Sequence, residues 1–241
     1  MRISQLGKKL QEIYEAGAIS SKGRASVLLL GPPGIGKSTG VQEFSEYMAK
    51  KLDKEFIDYS DDVADKILDS PDKYFVFNDF RLTEIEPSDL AGIPFRDNGA
   101  VKFAPLLWAR CMSKVAGVLT LDEITNINRA DMISASYKLV FDHKAGYTKF
   151  GNDVFIIACG NRPEHASVAN MLPVPLIGRL IVLSVEAPKI DEWYSWMDSK
   201  YHDEWDKKCY AFLKRFEDEY YLLKLPRENE TLEAHPEPRI V

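Results

Sequence analysis

The sequence has few cysteines, no long apolar run and no excess of positive charge. Its three cysteines, Cys111, Cys159 and Cys209, form no CxxC pair, so the sequence indicates neither a disulfide framework nor a zinc ribbon. The four histidines are scattered without metal-ligand spacing, which disfavours a metal enzyme. No stretch of about 18 apolar residues exists, and the first residues lack the apolar core of a signal peptide. These absences predict a cytoplasmic protein without a membrane span.

The charge balance is acidic, with a formal net charge of -6 over 241 residues. This argues against a protein whose whole surface binds nucleic acid, so a nucleic-acid partner is possible but not indicated. Hydrophobic residues make up 45% of the chain and charged residues 28%, an ordinary globular composition. The length suits one α/β domain with a small appendage.

Short apolar runs alternate with helical stretches through most of the chain. This order predicts a parallel sheet flanked by helices, an α/β domain over residues 1–187. The charged stretch 52–72 has no clear period and is expected to be a surface excursion. The predicted strands cover residues 26–30, 74–77, 115–121, 154–159 and 180–185.

After Pro188 the composition changes to helix formers and aromatic residues. Residues 188–241 are therefore predicted to form a small helical appendage. Its aromatic side chains recur at near-helical intervals, and we expect them to form its core rather than a ligand site.

A glycine-rich loop between the first predicted strand and a helix matches G-x-x-x-x-G-K-[ST]. In this pattern small residues let backbone N–H groups surround phosphates, the lysine reaches the β and γ oxygens, and the serine hydroxyl binds Mg²⁺. The predicted nucleotide-binding residues are Gly31, Pro32, Pro33, Gly34, Ile35, Gly36, Lys37, Ser38 and Thr39.

A second polar group follows a later apolar strand, where Asp122 and Glu123 stand at the carboxyl end of Val118–Leu121. Open α/β sheets bind ligands at this end of their strands. Asp122 together with Ser38 fits a Mg²⁺ shell, and Glu123 can polarise an attacking water. Taken alone, the pair could equally cap the next helix.

Asn161 and Arg179 lie near the two remaining strands. Each has an ordinary explanation, since an asparagine before Arg-Pro suits a turn and a lone arginine is usually a solvated surface group.

The motifs GPPGIGKS, SDLAGIPF, LTLDEITNINRA, ACGNRP and PLIGRL, in this order, resemble those of the MoxR-like and dynein-related branch of the AAA+ ATPases. The resemblance implies a P-loop NTPase with a five-stranded parallel sheet of order 5-1-4-3-2 flanked by helices, and a C-terminal helical lid. It also implies a homo-oligomer, usually a hexameric ring, with ATP and Mg²⁺ bound between subunits.

Matched by position, the resemblance implies roles for three more polar residues. Asn161 would orient the hydrolytic water together with Glu123, and Arg179 would enter the neighbouring subunit's site. Arg129 would contact another subunit. Arg239 matches a lid residue that senses the nucleotide, but the chain ends two residues later, so we expect a trimmed chain or an incomplete lid.

The same branch inserts a β-hairpin where residues 95–103 lie, and Phe95, Arg96 and Phe103 are candidate partner contacts. Residues 144–151 match a second hairpin position, although their short span and Gly146 favour a simple turn.

Three functions remain open. The first is Mg²⁺-dependent ATP hydrolysis in a ring that remodels a protein substrate or works with an adaptor. The second is an ATP-switched DNA-binding or DNA-loading module, for which no basic element is visible. The third, a small-molecule kinase or GTPase, is disfavoured because an NKxD guanine signature is absent and the acidic pair suits water activation.

Overall fold

The computed structural model describes residues 1–17, 24–162 and 172–216, without the side chains of residues 175 and 176. Ten strands lie in these ranges: β1 Val27–Leu30, β2 Glu55–Asp58, β3 Tyr74–Arg81, β4 Pro94–Asp97, β5 Ala100–Phe103, β6 Ala116–Asp122, β7 Lys144–Ala145, β8 Thr148–Lys149, β9 Val154–Gly160 and β10 Ile181–Ser184. The same ranges contain the α-helices α1 Leu6–Gly17, α2 Lys37–Lys51, α3 Ala64–Asp69, α4 Pro87–Ala91, α5 Leu107–Met112, α6 Ala130–Tyr137, α7 Val174–Ile177, α8 Ile190–Tyr201 and α9 Lys208–Arg215.

Six parallel strands form the central sheet in the order β10-β1-β9-β6-β3-β2. The α/β class and the parallel sheet flanked by helices are as predicted. Five of the strands have the order 5-1-4-3-2, but the expected count of five is wrong by one. Strand β2 lies within the stretch 52–72 that was expected to be a surface excursion, and it adds a sixth strand beside β3.

The sheet is covered on both faces, which explains why its central strands are continuous apolar runs. All seven residues of β9 are buried. On one face, Leu10, Tyr14 and Phe44 of α1 and α2 pack with Phe155 of β9. On the other face, residues of α3, α5 and α6 pack against the alternate side chains of the same strands. The carboxyl ends of the strands therefore meet at one rim between two helical layers.

Two short antiparallel hairpins, β4–β5 and β7–β8, lie outside the central sheet. The first is the hairpin that the resemblance implied. The expectation of a simple turn at residues 144–151 is wrong, because Lys144 pairs with Lys149 and Ala145 with Thr148 around Gly146.

The helical unit after Pro188 begins with α8. Ile190, Trp193 and Leu213 form its buried cluster, so the expectation of an aromatic core holds in part. Tyr201 and Phe212, in contrast, are exposed. The domain boundary at residue 188 stays a prediction, and residues 217–241 of the expected lid lie outside the described residues.

No described helix combines the length and the apolar character that crossing a membrane requires.

Candidate nucleotide site

The glycine-rich loop connects β1 to α2, and its backbone geometry requires glycine at three positions. Gly34 and Gly36 have φ values of 71° and 91°, a region that favours glycine. A Cβ on Gly31 would lie 2.4 Å from the carbonyl oxygen of Val185, so only glycine fits there. The loop therefore has the tight backbone path that turns N–H groups toward a bound anion.

Lys37, at the start of α2, is buried in this loop. Its Nζ donates to the carbonyl oxygens of Gly31 at 3.1 Å and Pro32 at 2.6 Å. It also donates to Asn161 Oδ1 at 3.0 Å, which joins the loop to the carboxyl end of β9. The backbone N–H of Asn161 donates to Thr125 Oγ1 at 2.9 Å, so the asparagine is held from both sides.

Ser38 and Asp122 meet as the sequence predicted. The serine hydroxyl donates to Asp122 Oδ2 at 2.7 Å, and the other carboxylate oxygen accepts the N–H of Glu123 at 2.8 Å. A hydroxyl and a carboxylate beside a phosphate-binding loop are the oxygen ligands that Mg²⁺ prefers. The residues present therefore fit a magnesium ion.

Glu123 has a left-handed backbone, with φ 58° and ψ 30°, a conformation uncommon for residues other than glycine. Its Oε2 accepts a hydrogen bond of 2.8 Å from Thr83 Oγ1. Sequence reasoning missed Thr83, which follows β3. The sequence holds only a weak signal for it, a polar residue after a strand, because the contact depends on β3 lying next to β6.

Asp79 and Arg81, on β3, also line the site and were not predicted. Asp79 is partly exposed to solvent, but the residues around its carboxylate shield it from much of the surrounding water. This desolvation, with the nearby charge of Asp122, raises the pKa of Asp79 to about 6, and Arg81 partly offsets the rise. Arg81 forms an ion pair with Glu84 at 3.0 Å.

One cavity of about 1040 Å³ is lined by Pro33 to Thr39 and by Asp79, Arg81, Asp122, Glu123 and Asn161, whereas Gly31, Pro32 and Thr83 are not among its lining residues. It runs from the glycine-rich loop between α1 and α8, where apolar Ile3, Pro188, Trp193 and Met197 line it together with polar Lys8, Gln11 and Glu192. A cavity of this size, with apolar surface beyond a phosphate-binding loop, can hold a nucleotide. The predicted residues Thr39 and Ile35 line it as well.

Helix α8 is tied to this site through two carboxylates. Glu43 Oε1 on α2 accepts Trp196 Nε1 at 2.9 Å and Lys200 Nζ at 3.0 Å. Glu192 on α8 accepts Arg2 Nη1 at 2.9 Å and Ser4 Oγ at 3.3 Å. The helix that carries Lys37 and Ser38 is therefore also the helix that holds α8.

Two of the predicted arginines, Arg129 and Arg179, do not line this cavity. Arg179 is exposed and places its guanidinium 4.7 Å from the ring centre of Phe141. Arg129 binds Glu86 at 2.7 Å and Asp131 at 2.9 Å, at the start of α6. Arg239 lies outside the described residues.

No protein-family model matches the sequence, and no curated protein matches it. Solved structures with a similar fold include ORC2 of Aeropyrum pernix, in ADPNP and ADP complexes, at 18% identity and a TM-score of 0.49, covering 89% of this chain and 55% of that one. The RuvB Holliday junction branch migration motor of Thermotoga maritima has 20% identity and a TM-score of 0.41, covering 82% and 49%. NtrX of Brucella abortus, in complex with ADP, has 16% identity and a TM-score of 0.43, covering 80% and 38%. This chain thus spans about half or less of the length of these proteins.

Proposed function

We propose that the chain binds ATP with Mg²⁺ and hydrolyses it in an oligomeric ring, and that this activity remodels a protein partner. One observation carries the proposal. The ends of three neighbouring strands bring together Lys37, the Ser38–Asp122 pair, Glu123 and Asn161 at one end of a nucleotide-sized cavity. This combination of a phosphate-binding loop, a hard-cation pair and a separate carboxylate suits phosphate-anhydride hydrolysis.

The chain's own residues have distinct parts in this proposal. The loop amides and Lys37 would bind the β and γ oxygens, and Ser38 and Asp122 would hold Mg²⁺. When bound, Mg²⁺ would supply charge neutralisation at the phosphate oxygens. Glu123 would orient and polarise the attacking water, and Asn161 would hold that water from the other side.

Hydrogen bonding restrains the two groups that would handle water. Glu123 is held by Thr83, and Asn161 Oδ1 is held by Lys37. Glu123 Oε2 and Asn161 Oδ1 would have to share or exchange these partners if those same atoms bound the water. Phosphate oxygens offer Lys37 a stronger, charge-assisted set of acceptors than Asn161 does, so nucleotide binding would release the asparagine.

The ring part of the proposal rests on Arg179. Its side chain is exposed, and the described residues that line the cavity of the same chain do not include it. An arginine so placed is free to enter a neighbouring copy's site, where such a group contributes about 10³ to 10⁵ in rate. A protein partner is favoured over DNA because the chain is acidic, and the DNA-loading alternative remains a second candidate.

The first test is steady-state ATP hydrolysis measured against protein concentration. We expect specific activity to rise with concentration. Glu123→Gln should lose activity by at least about 10²-fold while it still binds ATP. Arg179→Ala should lose about 10³-fold or more. Arg110→Ala removes a different exposed arginine, on α5, and should change little.

Two results would contradict parts of this proposal. Activity that stays flat with concentration, together with a silent Arg179→Ala, would leave a monomeric ATPase and remove the ring. Hydrolysis that survives Glu123→Gln would remove the assigned role of the glutamate.

A further inference from the structure

A single π-helical turn, Lys138–Asp142, follows directly on α6. The N–H of His143 donates to the carbonyl oxygen of Lys138, five residues back, and closes the turn. His143 then ends it with a left-handed backbone, at φ 50° and ψ 48°. Such turns are rare and lie frequently at functional sites. None of these residues lines the nucleotide cavity, so nucleotide binding does not account for the turn.

The π turn places the ring of Phe141 under the side chain of Arg179. The guanidinium carbon lies over this ring, 4.7 Å from its centre. The ring of Tyr137, one turn earlier, lies 5.4 Å from that of Phe141. Both rings are half-buried and pack against the core on the α6 side of the sheet. Phe141 therefore offers the exposed arginine a platform that is anchored in the core.

Ser26 joins the segments that carry these two side chains. Its carbonyl oxygen accepts the N–H of Ile181, two residues after Arg179, at 3.0 Å. Its hydroxyl donates to the carbonyl oxygen of Val140, the residue before Phe141, at 2.9 Å. Ser26 is only 2% exposed, so water does not compete for these bonds. One buried residue thus sets the position of the Phe141 backbone relative to that of Arg179.

Another arginine of this chain also lies on an aromatic ring, but its hydrogen bonds differ. Arg24 is buried, 3.5 Å from the ring centre of Tyr14, and donates to Asp153 at 2.8 Å and to the carbonyl oxygen of Tyr14. Its Nη groups therefore serve the fold. Arg179 is exposed, and within the described parts of the chain its guanidinium has no hydrogen bond or ion pair. A ring attracts a guanidinium through its face and leaves the N–H donors in the guanidinium plane available.

We propose that Phe141 is a positioning residue for Arg179, and that its ring holds the guanidinium ready for the phosphate oxygens in a neighbouring copy's site. The inference rests on the proposed function, because Arg179 acts on a nucleotide only where copies assemble. A free arginine side chain loses rotamer entropy when it binds, and a ring that already restricts it reduces this loss. The effect belongs mainly in kcat, since such an arginine stabilises charge in the transition state.

A double-mutant cycle in steady-state ATP hydrolysis tests this role. Phe141→Leu keeps an apolar side chain but removes the ring, and kcat should fall about tenfold with little change in KM. Phe141→Tyr keeps the ring and should retain the parent's activity. In the Arg179→Ala background, Phe141→Leu should have no further effect on the residual rate, measured with radiolabelled ATP. Phe56→Leu, on β2, changes another half-buried aromatic residue and should change little in either background.

The contact itself can be followed without nucleotide or assembly. A ring under the guanidinium shields the Nε–Hε proton of Arg179, whose resonance is identified by its absence from Arg179→Ala. In proton–nitrogen correlation spectra this resonance should move to lower field in Phe141→Leu. It should stay in place in Phe56→Leu.

Four outcomes would overturn the inference. An unmoved Arg179 resonance in Phe141→Leu would show that the ring does not hold the guanidinium. A normal kcat for Phe141→Leu, beside an impaired Arg179→Ala, would remove the role of Phe141 and leave the proposed function intact. An equal loss in the Arg179→Ala background would assign the loss to folding. A silent Arg179→Ala, or a parent that hydrolyses no ATP, would contradict the proposed function itself and with it any role for Phe141 in hydrolysis.

Discussion

Asp79 is a side chain of the candidate site whose charge state depends on the pocket around it. Its carboxylate faces Asp122 and Asp58 as like charges and Arg81 as an opposite one, and its pKa is raised to about 6. The folded state thus holds the Asp79 proton more tightly than the unfolded state does. Its ionisation costs stability in full above about pH 7, and the cost falls as the pH drops through 6 toward the ordinary value near 4.

Asp79→Asn removes this cost, so we expect the variant to be more stable than the parent near neutral pH. The gain should shrink at about pH 5, where Asp79 is already largely protonated in the folded parent. Thermal denaturation at the two pH values, without Mg²⁺ or nucleotide, measures both gains. Asp62→Asn changes an exposed aspartate and serves as the control. An equal gain for Asp79→Asn at both pH values would show that its charge is not the cause.

At the scale of elements, α2 links the phosphate-binding loop to α8. Its first residues are Lys37 and Ser38, and Glu43 lies on the same helix and contacts Trp196 and Lys200. Trp196 and Lys200 are four residues apart, so they lie on one face of α8. The ion pair is about 39% exposed on each side and contributes little. The hydrogen bond from the half-buried Trp196 indole to Glu43 therefore contributes most of the attachment of α8 to α2.

Glu43→Ala leaves that indole without its acceptor, a loss of about 1 kcal/mol in the local stability of α8. Amide hydrogen exchange in α8 should then become about fivefold faster, while exchange in β9 should stay unchanged. Exchange followed by mass spectrometry checks both elements in one experiment. Glu46→Ala, on the same helix with no hydrogen bond or ion pair in the described structure, is the matched control. Equal amide exchange rates in α8 of the Glu43→Ala and Glu46→Ala variants would show that Glu43 does not attach α8 to α2.

At the scale of the whole molecule, the sequence predicted the interior strands of the sheet, because strands that are buried on both faces consist of apolar residues. The interior strands read as continuous apolar runs, and the glycine loop and Asp122 were placed correctly beside each other. Strand β2 was missed because an edge strand in a charged stretch offers only Phe56 and Ile57 as apolar signal. The partnership of Thr83 with Glu123 was missed for another reason. It joins residues 40 apart, and only the strand order brings them together.

The cavity draws its walls from the amino-terminal residues, α1, α2, the ends of β3, β6 and β9, and α8, so a ligand bound there should stabilise the fold against unfolding. A nucleotide at about 100 times its Kd adds about 2.7 kcal/mol, or roughly 5 to 10 °C in Tm for a chain of this size. We expect this shift with ATP and Mg²⁺ in the parent and in Glu123→Gln.

Lys37→Ala should lose most of that shift, measured from its own ligand-free Tm. Ser38→Ala should keep a shift with ATP alone but lose the added effect of Mg²⁺, because the hydroxyl beside Asp122 is gone. Differential scanning fluorimetry with and without EDTA separates the two effects. A parent that shows no shift with any Mg²⁺-nucleotide would refute nucleotide binding itself. A normal shift without hydrolysis would instead locate the failure at Glu123, Asn161 or the missing neighbour.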